Sequence, residues 1–146
     1  MASPVSAEAK SKLLEAYMDV RSDNSETRWC VASYPDEGKT IDLTGTGTDY
    51  SEFLEAAKDD QRVYAYVRYQ TGDEMSKRSK FAFITWIGPN VKALAKAKVS
   101  TDKSFVKNIF SNFGVEILAD EADDLAEETV LTLLKNAGGA NYGSAR

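Results

Sequence analysis

The chain has 146 residues, 42% hydrophobic and 28% charged, a composition that fits one buried core and argues against two domains. Its net charge is -5; it has no histidine and one cysteine, Cys30, which removes the commonest general base and metal ligand and any internal disulfide. No apolar run approaches the ~18 residues of a membrane span, and Met1-Ala2-Ser3-Pro4 has neither the basic nor the apolar region of a secretory leader, so the reading is cytoplasmic with no membrane insertion.

Ser6 is placed to cap a first helix that carries Leu13, Leu14, Tyr17 and Met18 at helical spacing and ends near Ser22-Asp23-Asn24. Trp29 to Tyr34 and Thr40 to Leu43 read as the strands of an antiparallel hairpin around Pro35-Asp36-Glu37-Gly38, after which Thr44-Gly45-Thr46-Gly47 breaks the pattern. Tyr50, Phe53, Leu54 and Ala57 form a short helix capped by Thr48 or Asp49, and Val63 to Tyr69 has the composition of a strand. Beyond a loop with Gly72, Asp73, Glu74 and Ser76, the apolar run Phe81 to Ile87 predicts a strand covered on both faces. Gly88-Pro89-Asn90 ends that strand and leads to a helix with Val91, Leu94, Ala95, Val106, Ile109 and Phe110 inward. Lys98 falls inside this apolar arc, so a kink or restart is expected at Ser100-Thr101-Asp102 in preference to a buried lysine.

Phe113 to Leu118 reads as another strand. Asp123 or Asp124 opens a last helix with Ala126, Val130, Leu133, Leu134 and Ala137 inward, ended by Gly138 and Gly139. The order predicts an α/β (α+β) domain over residues 1–137, a mixed sheet of about five strands with helices on both faces, and a flexible tail at 138–146.

Charge is unevenly distributed. From Lys77 to Lys107 the bases Lys77, Arg78, Lys80, Lys92, Lys96, Lys98, Lys103 and Lys107 face one acid, Asp102, and the acids from Glu116 to Glu128 follow with no base among them. On one helix Lys92, Lys96, Lys103 and Lys107 would fall within about 60° of arc. Such a dipole suits orientation on a charged partner before docking.

Enzymatic chemistry finds little support. Cys30 lies in the apolar stretch Trp29-Cys30-Val31 with no visible base, and the pairs Asp59-Asp60 and Asp123-Asp124 read as helix ends. Gly45-Thr46-Gly47-Thr48 lacks the spacing of a phosphate-binding loop. Tyr64, Tyr66 and Tyr69 beside Arg68 suggest a base-stacking platform, but no ribonucleoprotein-type motif is present and tyrosines so placed pack on flanking helices; no nucleic acid, metal or cofactor is expected.

Four stretches carry a resemblance: Gly72-Asp73-Glu74-Met75-Ser76-Lys77-Arg78-Ser79-Lys80-Phe81, Ile84-Thr85-Trp86-Ile87-Gly88, Thr101-Asp102-Lys103, and Lys135-Asn136-Ala137-Gly138-Gly139-Ala140-Asn141-Tyr142. In order, over nearly the whole chain, they resemble the coactosin family, which has the actin-depolymerising factor homology fold shared with cofilin. The resemblance implies a monomeric cytoplasmic protein on the sides of actin filaments, with little affinity for monomeric actin, weak or no severing, and protection of barbed ends against capping. It implies that Lys80 is the lysine on which filament binding depends, with Lys77 and Arg78 the basic pair of the adjoining loop. Lys96, with Lys92, Lys98 and Lys103, lies on the family's long actin-facing helix, and Lys135 ends the last helix at a second edge. Asn136 departs from vertebrate relatives, which carry a second lysine there, so contacts through that amine, a lipoxygenase partner included, are not carried over. Two rivals remain: a cofilin-like severing and depolymerising factor, and a membrane-surface protein reading anionic phosphoinositides with the same basic tract.

Overall fold

The computed structural model describes residues 3–35, 38–72, 75 and 77–144, with side chains as far as 137. The elements are α1 (Ala7–Arg21), β1 (Trp29–Ser33), β2 (Asp42–Gly47), α2 (Tyr50–Glu55), β3 (Arg62–Thr71), β4 (Arg78–Ile87), α3 (Ala93–Lys107), β5 (Val115–Ala119) and α4 (Glu127–Ser144), with a 3-10 turn at Ala122–Leu125. The five strands run in the order β2-β1-β3-β4-β5. All neighbours are antiparallel except β4 and β5, which the α3 crossover joins in parallel.

β3 and β4 are apolar almost throughout because both of their faces are covered. Tyr64, Tyr66, Phe83 and Ile87 point toward α1 and α3, meeting Leu13, Tyr17, Val99, Val106 and Phe110. Val63, Ala65, Val67, Tyr69, Ala82, Ile84 and Trp86 point the other way, toward Tyr50 and Phe53 of α2 and Val130 and Leu134 of α4. The mixed five-stranded sheet with helices on both faces is as the sequence pattern predicts.

Local signals place most boundaries. Ser6 caps α1 by accepting a bond from the Ala9 amide, and Asp49 caps α2 through the Ser51 amide. Thr44 to Gly47, expected to break the pattern, instead belongs to β2. Gly47 pairs with Trp29, and a Cβ there would lie 2.5 Å from the indole Cζ2, so glycine lets the ring lie flat across the strand.

Three helix expectations are corrected. α3 is continuous from Ala93 to Lys107, with no restart at Ser100-Thr101-Asp102. Lys98 is accommodated because its ammonium reaches buried Asp102 at 2.8 Å, one turn on. Asp102 also accepts the Tyr34 hydroxyl at 2.7 Å, and Tyr34 and Tyr64 share a further bond of 2.7 Å. A buried carboxylate requires such partners. The last helix opens at Glu127 and not at Asp123 or Asp124, since Ala122–Leu125 forms the 3-10 turn whose Leu125 carbonyl accepts the Tyr50 hydroxyl. α4 passes through Gly138 and Gly139 to Ser144, because glycine raises the cost of a helix by about 1 kcal/mol without forbidding it. Leu94, Ala126 and Leu133, expected inward, are exposed, Leu94 by 88%.

Among the described residues, Thr85 Oγ1 is a buried side-chain oxygen without a hydrogen-bond partner. Thr85→Val, which replaces that hydroxyl with a methyl group of similar shape, is expected to raise unfolding free energy by about 1 kcal/mol in urea titration. A loss of stability would show that the hydroxyl is satisfied in solution. No helix among the described residues is long and apolar enough to cross a membrane.

Candidate functional site

The β3–β4 hairpin is built by register. Lys80 pairs with Tyr69, Ser79 with Gln70, and Arg78 with Thr71, while Gly72 turns the chain at φ 89°, a conformation glycine adopts without strain. Arg78, expected in the adjoining loop, is therefore a strand residue, and so is Lys80, one position before the expected strand start at Phe81. Side chains alternate across a strand, so Arg78 and Lys80 share the face of Ala82 and Ile84, the α4 side, while Ser79 shares the face of Phe81. Lys77 and Arg78 are exposed and Lys80 is partly exposed. Asp73, Glu74 and Ser76, part of the motif noted in the sequence, lie outside the described residues.

β5 pairs with β4 only from Ala82 onward, and the last link on that side is the Gly114 amide to the Phe81 carbonyl. Arg78 to Lys80 thus project past β5 as an extended basic segment, held on one edge by β3. Lys135, exposed on α4, lies on the same side of the sheet as Arg78 and Lys80.

On the opposite face, α3 does not present the four-lysine ridge predicted from helical spacing. Lys92 and Lys96 are exposed, and among the described residues neither forms an ion pair. Lys103 and Lys107 both engage Glu116 of β5, at 3.0 and 2.8 Å. Lys98 is turned to Asp102. The first of the acids that follow the basic tract therefore folds back onto it, and the charge separation read along the chain is narrower in space.

Burial works to raise the Glu116 carboxyl, but bonds from Lys107 and Lys103 outweigh it and hold its pKa below the usual 4.5. The folded chain binds this proton less readily than the unfolded chain. The triad's stabilisation is thus complete above the unfolded pKa and is lost as pH falls through the lowered folded value. Urea titrations between pH 6 and 3 should show wild type losing more stability on acidification than Glu116→Gln; equal losses would show that the triad is not formed.

Other candidates fall away on geometry. Cys30 is fully buried and burial pushes its thiol up to about 12, so it stays protonated. Tyr64, Tyr66 and Tyr69 are fully buried, with their rings packed against Tyr34, Tyr17 and Tyr50, so they cannot stack on nucleic-acid bases. Asp120, Glu121 and Asp124 bring carboxylate oxygens within 4.8 Å of one another, but the cluster is open to solvent.

The chain is similar to several known proteins. Human coactosin-like protein is 46% identical over 127 residues, covering 87% of this chain and 88% of that one. Coactosin of Dictyostelium discoideum is 42% identical over 138 residues, covering 92% of each. The crystal structure of human coactosin-like protein superposes with a TM-score of 0.83 at 42% identity, over 92% of this chain and 99% of that one. The solution structure of mouse coactosin, described as an actin filament binding protein, gives 0.78 at 43% identity over 99% of both chains. A Streptomyces griseoflavus cofilin shares the fold at 0.77 with 19% identity. Residues 6–135 match the profile of the Cofilin/tropomyosin-type actin-binding protein family, and the chain, with its single actin-depolymerising factor homology fold, belongs to that family.

Proposed function

We propose that this protein binds the sides of actin filaments in preference to monomeric actin, severs little, and counteracts barbed-end capping, as a cytoplasmic, monomeric, non-enzymatic component of the cytoskeleton. The observation that carries the reading is that the bases of the Lys77–Lys107 tract and Lys135 that form no ion pair among the described residues fall into two groups. Arg78 and Lys80 mark the hairpin end of β4, with Lys77 adjoining and Lys135 on the same side of the sheet. Lys92 and Lys96 begin α3 at the other end, where Arg62, register partner of Ile87, donates to the Ala95 carbonyl. The ten residues of β4 span about 30 Å at ~3.3 Å per residue, and the two groups also lie on opposite faces. A ligand that offers two acidic surfaces at that separation, as neighbouring subunits of a polymer do, can meet both groups at once. A single subunit engages one group, which supports a preference for filament without any nucleotide chemistry.

Docking is electrostatic: exposed pairs contribute about 0.5 to 1 kcal/mol each, so affinity is moderate and falls with salt. High-speed cosedimentation with filamentous actin at low and high salt, with excess monomeric actin as competitor, tests the reading. Pelleting that monomer does not displace supports it. Displacement by monomer favours a severing and depolymerising factor. Failure to pellet at low salt, with flotation on phosphoinositide-containing liposomes, favours the membrane-surface reading.

A further inference from the structure

We propose that Ser79 is a phosphoacceptor for a basic-directed serine/threonine kinase, and that a phosphate there switches off the basic hairpin; the second half rests on the filament-binding reading above. Ser79 lies within Lys77-Arg78-Ser79-Lys80, so cations flank the acceptor on both sides. Kinases of this class take their substrate as an extended segment and read basic residues just before the hydroxyl. Ser79 meets both conditions: it is a partly exposed strand residue paired with Gln70, and the edge of β4 away from β3 is open from Arg78 to Lys80 because β5 pairing starts at Ala82. Ser100 and Ser104, also near lysines, are locked in the helical backbone of α3 and do not meet the first condition.

The surroundings determine what a phosphate does once attached. Ser79 shares the face of Phe81, and the Arg21 guanidinium lies 4.9 Å from the Phe81 ring centroid. Two residues along a strand is about 7 Å, so Arg21 is within reach of phosphate oxygens on Ser79. Lys77, Arg78 and Lys80 are the nearest neighbours in the chain. A phosphoserine adds about -1.5 to -2 charge at pH 7, enough to offset most of the charge of those three residues and to hold their side chains in intramolecular pairs. The steering field toward an acidic filament collapses locally, and the fold, whose core contains no part of the Ser79 side chain, stays intact. In the transfer, Ser79 Oγ forms a bond to the γ-phosphorus of ATP, the bond from that phosphorus to the bridging oxygen breaks, ADP leaves, and the hydroxyl proton passes to the kinase's catalytic carboxylate.

Wild type and Ser79→Ala would be incubated with a purified basic-directed kinase and magnesium ATP, with the site mapped by mass spectrometry. Unmodified wild type, phosphorylated wild type, Ser79→Asp, Ser79→Ala and Lys80→Glu would then be compared by filament cosedimentation, with thermal melts to verify folding. Phosphate on Ser79, absent from Ser79→Ala, together with binding weakened about tenfold in the phosphorylated chain and retained in Ser79→Ala, is the expected result. Phosphate absent from Ser79, or carried on Ser76 instead, overturns the site. If Lys80→Glu loses binding while phosphorylated wild type pellets as well as the unmodified chain, the switch is overturned and the filament reading stands. If unmodified wild type fails to pellet, the filament reading fails and takes the switch with it.

Discussion

Lys80→Glu is expected to abolish cosedimentation with filamentous actin at concentrations where wild type pellets, with the thermal midpoint unchanged within about 2 °C. Lys80 sits on a β-strand, which holds its Cα against Tyr69 in register, so its ammonium is presented with less backbone freedom than a loop lysine has. Among the described residues it has no acidic partner to lose, so reversal leaves no buried charge behind. Losing one exposed attraction is worth about 0.5 to 1 kcal/mol, and replacing it with repulsion at close range about doubles or triples that, giving roughly 10- to 100-fold in affinity. The defect should narrow at high salt as wild-type binding itself weakens. Unreduced binding at low salt would remove the hairpin from the site. Lys103→Glu is the informative contrast: Lys103 already pairs with Glu116, so reversing it disturbs the α3–β5 seam more than it alters the charge offered to a partner.

Gly88→Ala is expected to cost about 3 kcal/mol of unfolding free energy. A Cβ at Gly88 would lie 2.1 Å from the Asp59 carbonyl oxygen, 2.3 Å from its carbon and 2.5 Å from the Lys58 oxygen. These are backbone atoms, so no side-chain rotation relieves the clash. They are also tied in place: the Gly88 amide donates to the Gln61 carbonyl, the Asn90 amide to the Asp59 carbonyl, and the Trp86 indole to the Lys58 carbonyl, at 3.0, 2.8 and 2.8 Å. Separating the Lys58–Gln61 loop from the end of β4 breaks several of these bonds together. A urea midpoint that implies a loss below about 1 kcal/mol would show that the loop yields without strain.

The hairpin shows how sequence reading and structure divide. The basic run Lys77-Arg78-Ser79-Lys80 is visible in one dimension, and its place between two strand patterns is too. Its extended, one-edged geometry is not, because that depends on where β5 stops pairing, and β5 begins more than thirty residues later at Val115. The kink expected in α3 failed for a similar reason. Lys98 in an apolar arc is a conflict only if its environment is apolar; Asp102, one turn away, and Tyr34, 68 residues from Asp102, make it polar. Thr44 to Gly47 read as a break because glycine weakens strands in general, while here the Trp29 ring takes the space a side chain would need.

By itself the sequence determined the mixed sheet, the two buried faces of β4, the cap at Ser6, and the family, since each rests on residues close together in the chain or on a period that needs no partner. Only the tertiary structure decided which cations remain free for a partner. Lys92, Lys96, Lys103 and Lys107 are alike in helical position, yet Glu116 arrives on β5 beside the last two alone. Ion pairing falls off steeply with distance, so the electrostatic surface is determined by what the fold brings within a few ångströms, which spacing along the chain does not specify.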